Sequence, residues 1–106
     1  MGKYLFEARY TAEGAKGVAK AGGSARRAAV EKAVASAGGK LESFHFAFGG
    51  VDAYVIVDLP DPATAVALSC AVNATGAVQL RSTVLLTPEE VDAASKKSVE
   101  YRPPGA

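Results

Sequence analysis

Phe44-His45-Phe46-Ala47-Phe48-Gly49-Gly50-Val51-Asp52-Ala53-Tyr54-Val55-Ile56-Val57-Asp58-Leu59-Pro60-Asp61 is the stretch that decides the fold. Two runs rich in aromatic and β-branched residues flank a connector that holds Gly49 and Gly50. This is the pattern of a β-hairpin whose turn needs positive φ. Pro60-Asp61-Pro62 then stops the second run and opens a helix, with Asp61 as cap and Pro62 at the first helical position.

Strand periodicity runs outward from this hairpin in both directions. Residues 40–48 place Glu42, Phe44, Phe46 and Phe48 on one side and Leu41, Ser43, His45 and Ala47 on the other. Residues 52–59 set Val55, Val57 and Leu59 against Tyr54, Ile56 and Asp58. Upstream, residues 3–10 alternate Tyr4, Phe6, Ala8 and Tyr10 with Leu5, Glu7 and Arg9. Thr11 caps a helix that begins at Ala12, weakened by Gly14 and Gly17. Gly22-Gly23 breaks it, Ser24 caps a restart through Val30, Ala33, Val34 and Ala37, and Gly38-Gly39 ends it.

Downstream, the helix from Pro62 runs to about Gly76, and residues 77–86 form a fourth strand with Gln79, Arg81 and Thr83 on one side. Thr87-Pro88-Glu89-Glu90 is a capping box that opens a final helix to about Ser98. The predicted order is βαββαβ plus a helix: an α+β, ferredoxin-like split βαβ fold with a four-stranded antiparallel sheet. Residues 1–98 form one domain and 99–106 an extended tail. Helices cover one face of the sheet, and the other stays open unless a partner covers it.

Composition narrows the function classes. Twelve basic and eleven acidic residues leave a formal charge of +1, too little for a broad nucleic-acid-binding surface. No apolar run approaches the roughly 20 residues that span a bilayer. The single cysteine, Cys70, allows no intrachain disulfide and no cysteine zinc cluster, and its apolar helical neighbours predict a buried, inert thiol. The expectation is a soluble, cytoplasmic protein with no cofactor and no metal.

The candidate site follows from the open sheet face. In a split βαβ sheet the first strand lies between the third and fourth, so Leu5, Glu7, Arg9, Tyr54, Ile56, Asp58, Gln79, Arg81 and Thr83 share that face. Glu7 is expected beside Arg81 and Arg9 beside Asp58. His45, the only histidine, is placed on the same face toward Tyr54 and Asp58, and with Asp58 it is the candidate proton acceptor. No fixed nucleophile accompanies it. Glu7, Arg9, His45, Tyr54, Asp58 and Arg81 are the candidate ligand-binding set. Gly22-Gly23-Ser24-Ala25-Arg26-Arg27 puts amide donors and guanidinium groups at a helix start, but without the spacing of a phosphate-binding loop, and a solvated turn is the preferred reading.

Tyr10-Thr11-Ala12-Glu13-Gly14-Ala15-Lys16-Gly17, Gly38-Gly39-Lys40-Leu41, residues 48–52, Ile56-Val57-Asp58-Leu59-Pro60-Asp61 and Thr87-Pro88-Glu89-Glu90 together resemble the GYD-domain family, which is related to the dimeric α/β-barrel superfamily. The match covers nearly the whole chain. In the name-giving motif, Gly50-Val51-Asp52 carries Val51 where the family has tyrosine. The resemblance implies the fold and self-association through the sheet face, and it implies no particular activity. The expected protein is therefore a homo-oligomer, dimer first and trimer second, that binds a small molecule at the sheet interface. The alternatives are a cofactor-free oxygenase or isomerase with an intersubunit pocket, and a purely structural assembly protein with a dry sheet face.

Overall fold

The computed structural model describes residues 1–106. Its elements are β1 (Gly2–Tyr10), α1 (Ala12–Ala21), α2 (Gly23–Ser36), β2 (Lys40–Phe46), β3 (Ala53–Leu59), α3 (Pro62–Asn73), β4 (Val78–Leu85) and α4 (Pro88–Ser95). The four strands form one antiparallel sheet in the order β2-β3-β1-β4. This is the expected α+β, ferredoxin-like arrangement with an added C-terminal helix.

Alternation in β1 and β3 decides which side is covered. Tyr4, Phe6 and Ala8 with Ala53, Val55, Val57 and Leu59 are all buried and face the helices. Val34 of α2 and Ala65 of α3 close over them. α2 lies over β2 and α3 over β4, while α1 contacts α2 and β1. Small residues bring the helices close. At Gly14 the backbone of α1 approaches so tightly that an added Cβ would lie 2.0 Å from the carbonyl oxygen of Ala77. Thr11 fixes that approach: its N–H donates to Ala77 O at 3.0 Å, and its hydroxyl reaches Gly76 O at 3.0 Å.

The caps read from the sequence form at three helix starts. Thr11 accepts from Gly14 N, Asp61 accepts from the N–H and hydroxyl of Thr64, and Thr87 and Glu90 cap each other. The start of α2 differs. Gly22, at φ 90°, ends α1 and caps α2 at once, so Ser24 sits inside the helix rather than at its cap. One left-handed residue is enough to turn the chain.

The hairpin also departs from expectation. Neither Gly49 nor Gly50 has positive φ. β2 ends at Phe46, and residues 47–52 form a connection long enough to reverse the chain without a left-handed residue, closed by Ala47 N–H donating to Asp52 O at 2.8 Å. Phe48 therefore lies outside the strand and is fully exposed, and Phe46 is itself partly exposed, so of the three phenylalanines only Phe44 packs against the core. Inside β2, Leu41 pairs with Val57 and Ser43 with Ile56, so a bulge absorbs one residue. The bulge turns Leu41 to the helix side with Phe44 and sends Glu42 to the open face, reversing both assignments read from strict alternation.

α3 stops at Asn73, short of Gly76, and Cys70 is exposed rather than buried. Cys70 lines an open hollow between α3 and β4 with Ser69, Asn73, Ser82 and Val84. Every residue from Leu86 to Ala106 is exposed, α4 included. The radius of gyration is 16.7 Å, against about 13 Å for a compact domain of this length. α4 and the tail thus form an arm that lengthens the molecule to 55 Å.

Candidate functional site

The antiparallel registers arrange the open face in rows that cross the strands. His45 pairs with Tyr54, Tyr54 with Glu7 and Glu7 with Arg81, so an imidazole, a phenol, a carboxylate and a guanidinium stand in one line across all four strands. At about 4.8 Å per strand the line is about 15 Å long. The next row holds Ser43, Ile56, Leu5 and Thr83, which makes a band with an apolar centre. Beyond it lie Lys40, Asp58, Lys3 and Leu85. Two charged rows thus border an aliphatic strip.

Four of the six candidate ligand-binding residues, Glu7, His45, Tyr54 and Arg81, share the first row. Arg9 stands two residues along β1, opposite Gln79. The expected pairing of Arg9 with Asp58 does not occur. β1 and β3 run antiparallel with Lys3 opposite Asp58, which puts Arg9 at the far end of the sheet from that carboxylate. Strand alternation shows the face on which a residue lies, but only the pairing offset shows its neighbours. The same offset separates Asp58 from His45, because Tyr54 and Asp58 are four residues, about 13 Å, apart along β3.

Asp58 belongs instead to a cluster around Lys3. The Lys3 ammonium donates to Glu42 at 2.5 Å and to Asp58 at 3.4 Å. The Glu42 carboxylate, seconded by Asp58, holds the ammonium above the ordinary lysine range, and partial desolvation opposes the shift. These are the only ion pairs in the protein. Glu7 and Arg81 are neighbours on one face, as expected, without forming a contact ion pair.

Glu7, Arg9, Gln79 and Arg81 line a hollow of about 170 Å³, completed by Val51 and Leu80. It is shallow and polar. Two guanidinium groups and one carboxylate leave it a net positive charge. Val51 escapes a reading by strand alternation because the hairpin connection, not a strand, carries it to the rim, whereas Gln79 lies on the expected face but outside the candidate ligand-binding set. Asp52 was missed as a fastening residue. Its carboxylate accepts from Tyr10 N–H at 2.8 Å and its own N–H donates to Ala8 O at 2.9 Å, so it ties the hairpin to β1. Its signal is the aspartate directly before an apolar strand, at the end of a connection whose glycines do not make the expected left-handed turn.

In the glycine-arginine segment at the start of α2, the Arg26 guanidinium lies over the Tyr10 ring, 5.8 Å from its centroid. No three His, Cys, Asp or Glu side chains converge to hold a metal. No helix is long and apolar enough to cross a membrane.

A four-stranded split βαβ sheet with helices on one side and charged rows on the other defines a small α+β domain whose open face carries the polar side chains. The family model for the GYD domain matches residues 4–95, and the chain belongs to that family. No curated protein and no solved structure matches the chain.

Proposed function

We propose that the protein is a cytoplasmic homo-oligomer, a face-to-face dimer before a trimer, that binds a small organic acid in the hollow between Arg9 and Arg81. The observation that carries this reading is the pair of guanidinium groups around one hollow, neither held by a carboxylate ion pair. A guanidinium fork matches a carboxylate in shape as well as charge. Glu7 and Gln79 offer an acceptor and an amide for polar groups on the same ligand. On one chain the hollow is only a shallow wall, and a second sheet laid over it would complete the enclosure that small-molecule sites need.

The aliphatic strip supports self-association. Leu5 and Ile56 lie between charged rows, a pattern that can face itself across a two-fold axis. The exposed C-terminal arm adds a second argument. An eight-residue helix is marginal in water without tertiary support, and α4 buries no residue against its own chain. The free, exposed thiol of Cys70 fits a reducing compartment.

Native mass spectrometry of the purified protein, followed by titration with short mono- and dicarboxylates, tests the reading. An oligomer that takes up an acid in the wild type and loses it in Arg81→Gln, with the fold unchanged, supports it. A monomer at micromolar concentration that binds no acid refutes it. A second reading, a cofactor-free oxygenase or isomerase with His45 as proton acceptor, draws on the phenol of Tyr54 directly across from the imidazole. His45→Ala distinguishes the two: it abolishes turnover in the enzyme and only weakens retention in the binding protein.

A further inference from the structure

The helix-covered side of the sheet is incompletely closed. α2 covers β2 and α3 covers β4, and between them an apolar hollow of about 120 Å³ descends to Phe6, Ala8 and Val55. It adjoins a second hollow of about 380 Å³ between α1 and α2, and Tyr10, Arg26, Ala29 and Val78 line both. Together they fall within the roughly 300–1,000 Å³ that small-molecule sites occupy.

Arg26 stands where the two meet, and it is the only charged residue lining the inner hollow. Its Nε is the one enclosed side-chain nitrogen or oxygen in the protein without a hydrogen-bond partner. Such a group is strongly disfavoured unless something accepts from it. Glu13 lines the outer hollow but forms no ion pair with Arg26. The Tyr10 ring, 5.8 Å from the guanidinium, gives a cation–π contact but no hydrogen bond to Nε.

We propose that this cleft binds a medium-chain aliphatic carboxylate, its head on the Arg26 guanidinium and its chain in the groove between α2 and α3. Charge complementarity selects the head. An apolar pocket lined by thirteen hydrophobic residues among its fourteen selects the chain. The site lies on the opposite side of the sheet from the Arg9 and Arg81 hollow and does not depend on it.

The test is calorimetric titration of the full chain with decanoate and, separately, decanol. Decanoate is expected to bind once per chain and at least about tenfold more tightly than decanol, because the alcohol leaves the charged group unpaired. Arg26→Gln should remove that preference. Ala29→Trp, which plugs the cleft from its exposed side, should abolish binding of both, and Arg81→Gln on the other face should leave both unchanged. Circular dichroism checks each variant, and if Arg26→Gln fails to fold, Ala29→Trp carries the test. Three outcomes overturn the proposal: no binding of decanoate, equal binding of decanoate and decanol, or binding that appears only after residues 99–106 are removed. The last would mean that the protein's own tail occupies the cleft.

Discussion

Gly14 and Gly17 stand nearly one turn apart in α1, and replacing each by alanine is expected to move stability in opposite directions. A helix interior favours alanine over glycine by about 1 kcal/mol. At Gly17 the added methyl meets nothing within 4 Å, so Gly17→Ala should keep most of that gain. At Gly14 the same carbon would land 2.0 Å from Ala77 O and 3.0 Å from its carbonyl carbon, backbone atoms that cannot swing aside. The start of α1 must then retreat from β4, and the retreat breaks the three hydrogen bonds from Thr11 to Gly76 and Ala77. Overpacking costs about 1–3 kcal/mol, and each hydrogen bond lost adds up to about 1 kcal/mol. Overpacking and three lost bonds together outweigh a helical gain of about 1 kcal/mol, so Gly14→Ala should lose about 2–4 kcal/mol. Urea unfolding followed by circular dichroism measures both variants, a shift in midpoint at constant slope reporting stability alone. If Gly14→Ala proves as stable as the parent, the close approach of α1 to Ala77 is wrong.

Asp52→Ala should cost about 1.5–3 kcal/mol by removing a charged acceptor from the Tyr10 amide, and Asp52→Asn, which keeps an oxygen there, clearly less; hydrogen exchange at Tyr10 should accelerate in the alanine variant alone, and equal effects of the two would refute the fastening role. The hydroxyl of Thr64, then its N–H, holds the Asp61 carboxyl below its ordinary value of 3.8. Its contribution to stability is therefore complete above that value and lost as pH falls through the lower folded one, so Asp61→Asn should flatten the acid limb of a midpoint-against-pH curve. Lys3 has the opposite sign. Its raised pKa gives stability that is present below 10.5 and lost as pH rises through the folded value, and Lys3→Met should flatten the alkaline limb.

The parts of the fold legible in the sequence were those carried by local patterns. Alternation in residues 3–10 and 52–59 placed every side chain of β1 and β3 on its correct face, and capping residues marked three helix starts. The face of His45 followed from the same logic. What failed depended on relations between strands. Arg9 and Asp58 share a face, yet the antiparallel offset that separates them is a property of the pairing, invisible in either strand alone. Glu42 was misplaced because a bulge interrupts the period of two that the reading assumed. Cys70 has small apolar neighbours in sequence, but it borders an open hollow between α3 and β4, and burial depends on how closely a helix packs rather than on its composition.

The bulge in β2 also determines where this strand can change length. Glu42 and Ser43 both stand between Leu41 and Phe44, the two apolar residues that bracket the irregularity on the helix side. Deleting either one would leave Leu41 and the phenylalanine two positions apart, which is the regular spacing, and both would stay beneath α2. A deletion between Phe44 and Phe46 would instead drive an aromatic ring through to the charged face, together with everything that precedes or follows it in register. A single point in the strand thus absorbs a lost residue, and the remainder of β2 must keep its reading frame.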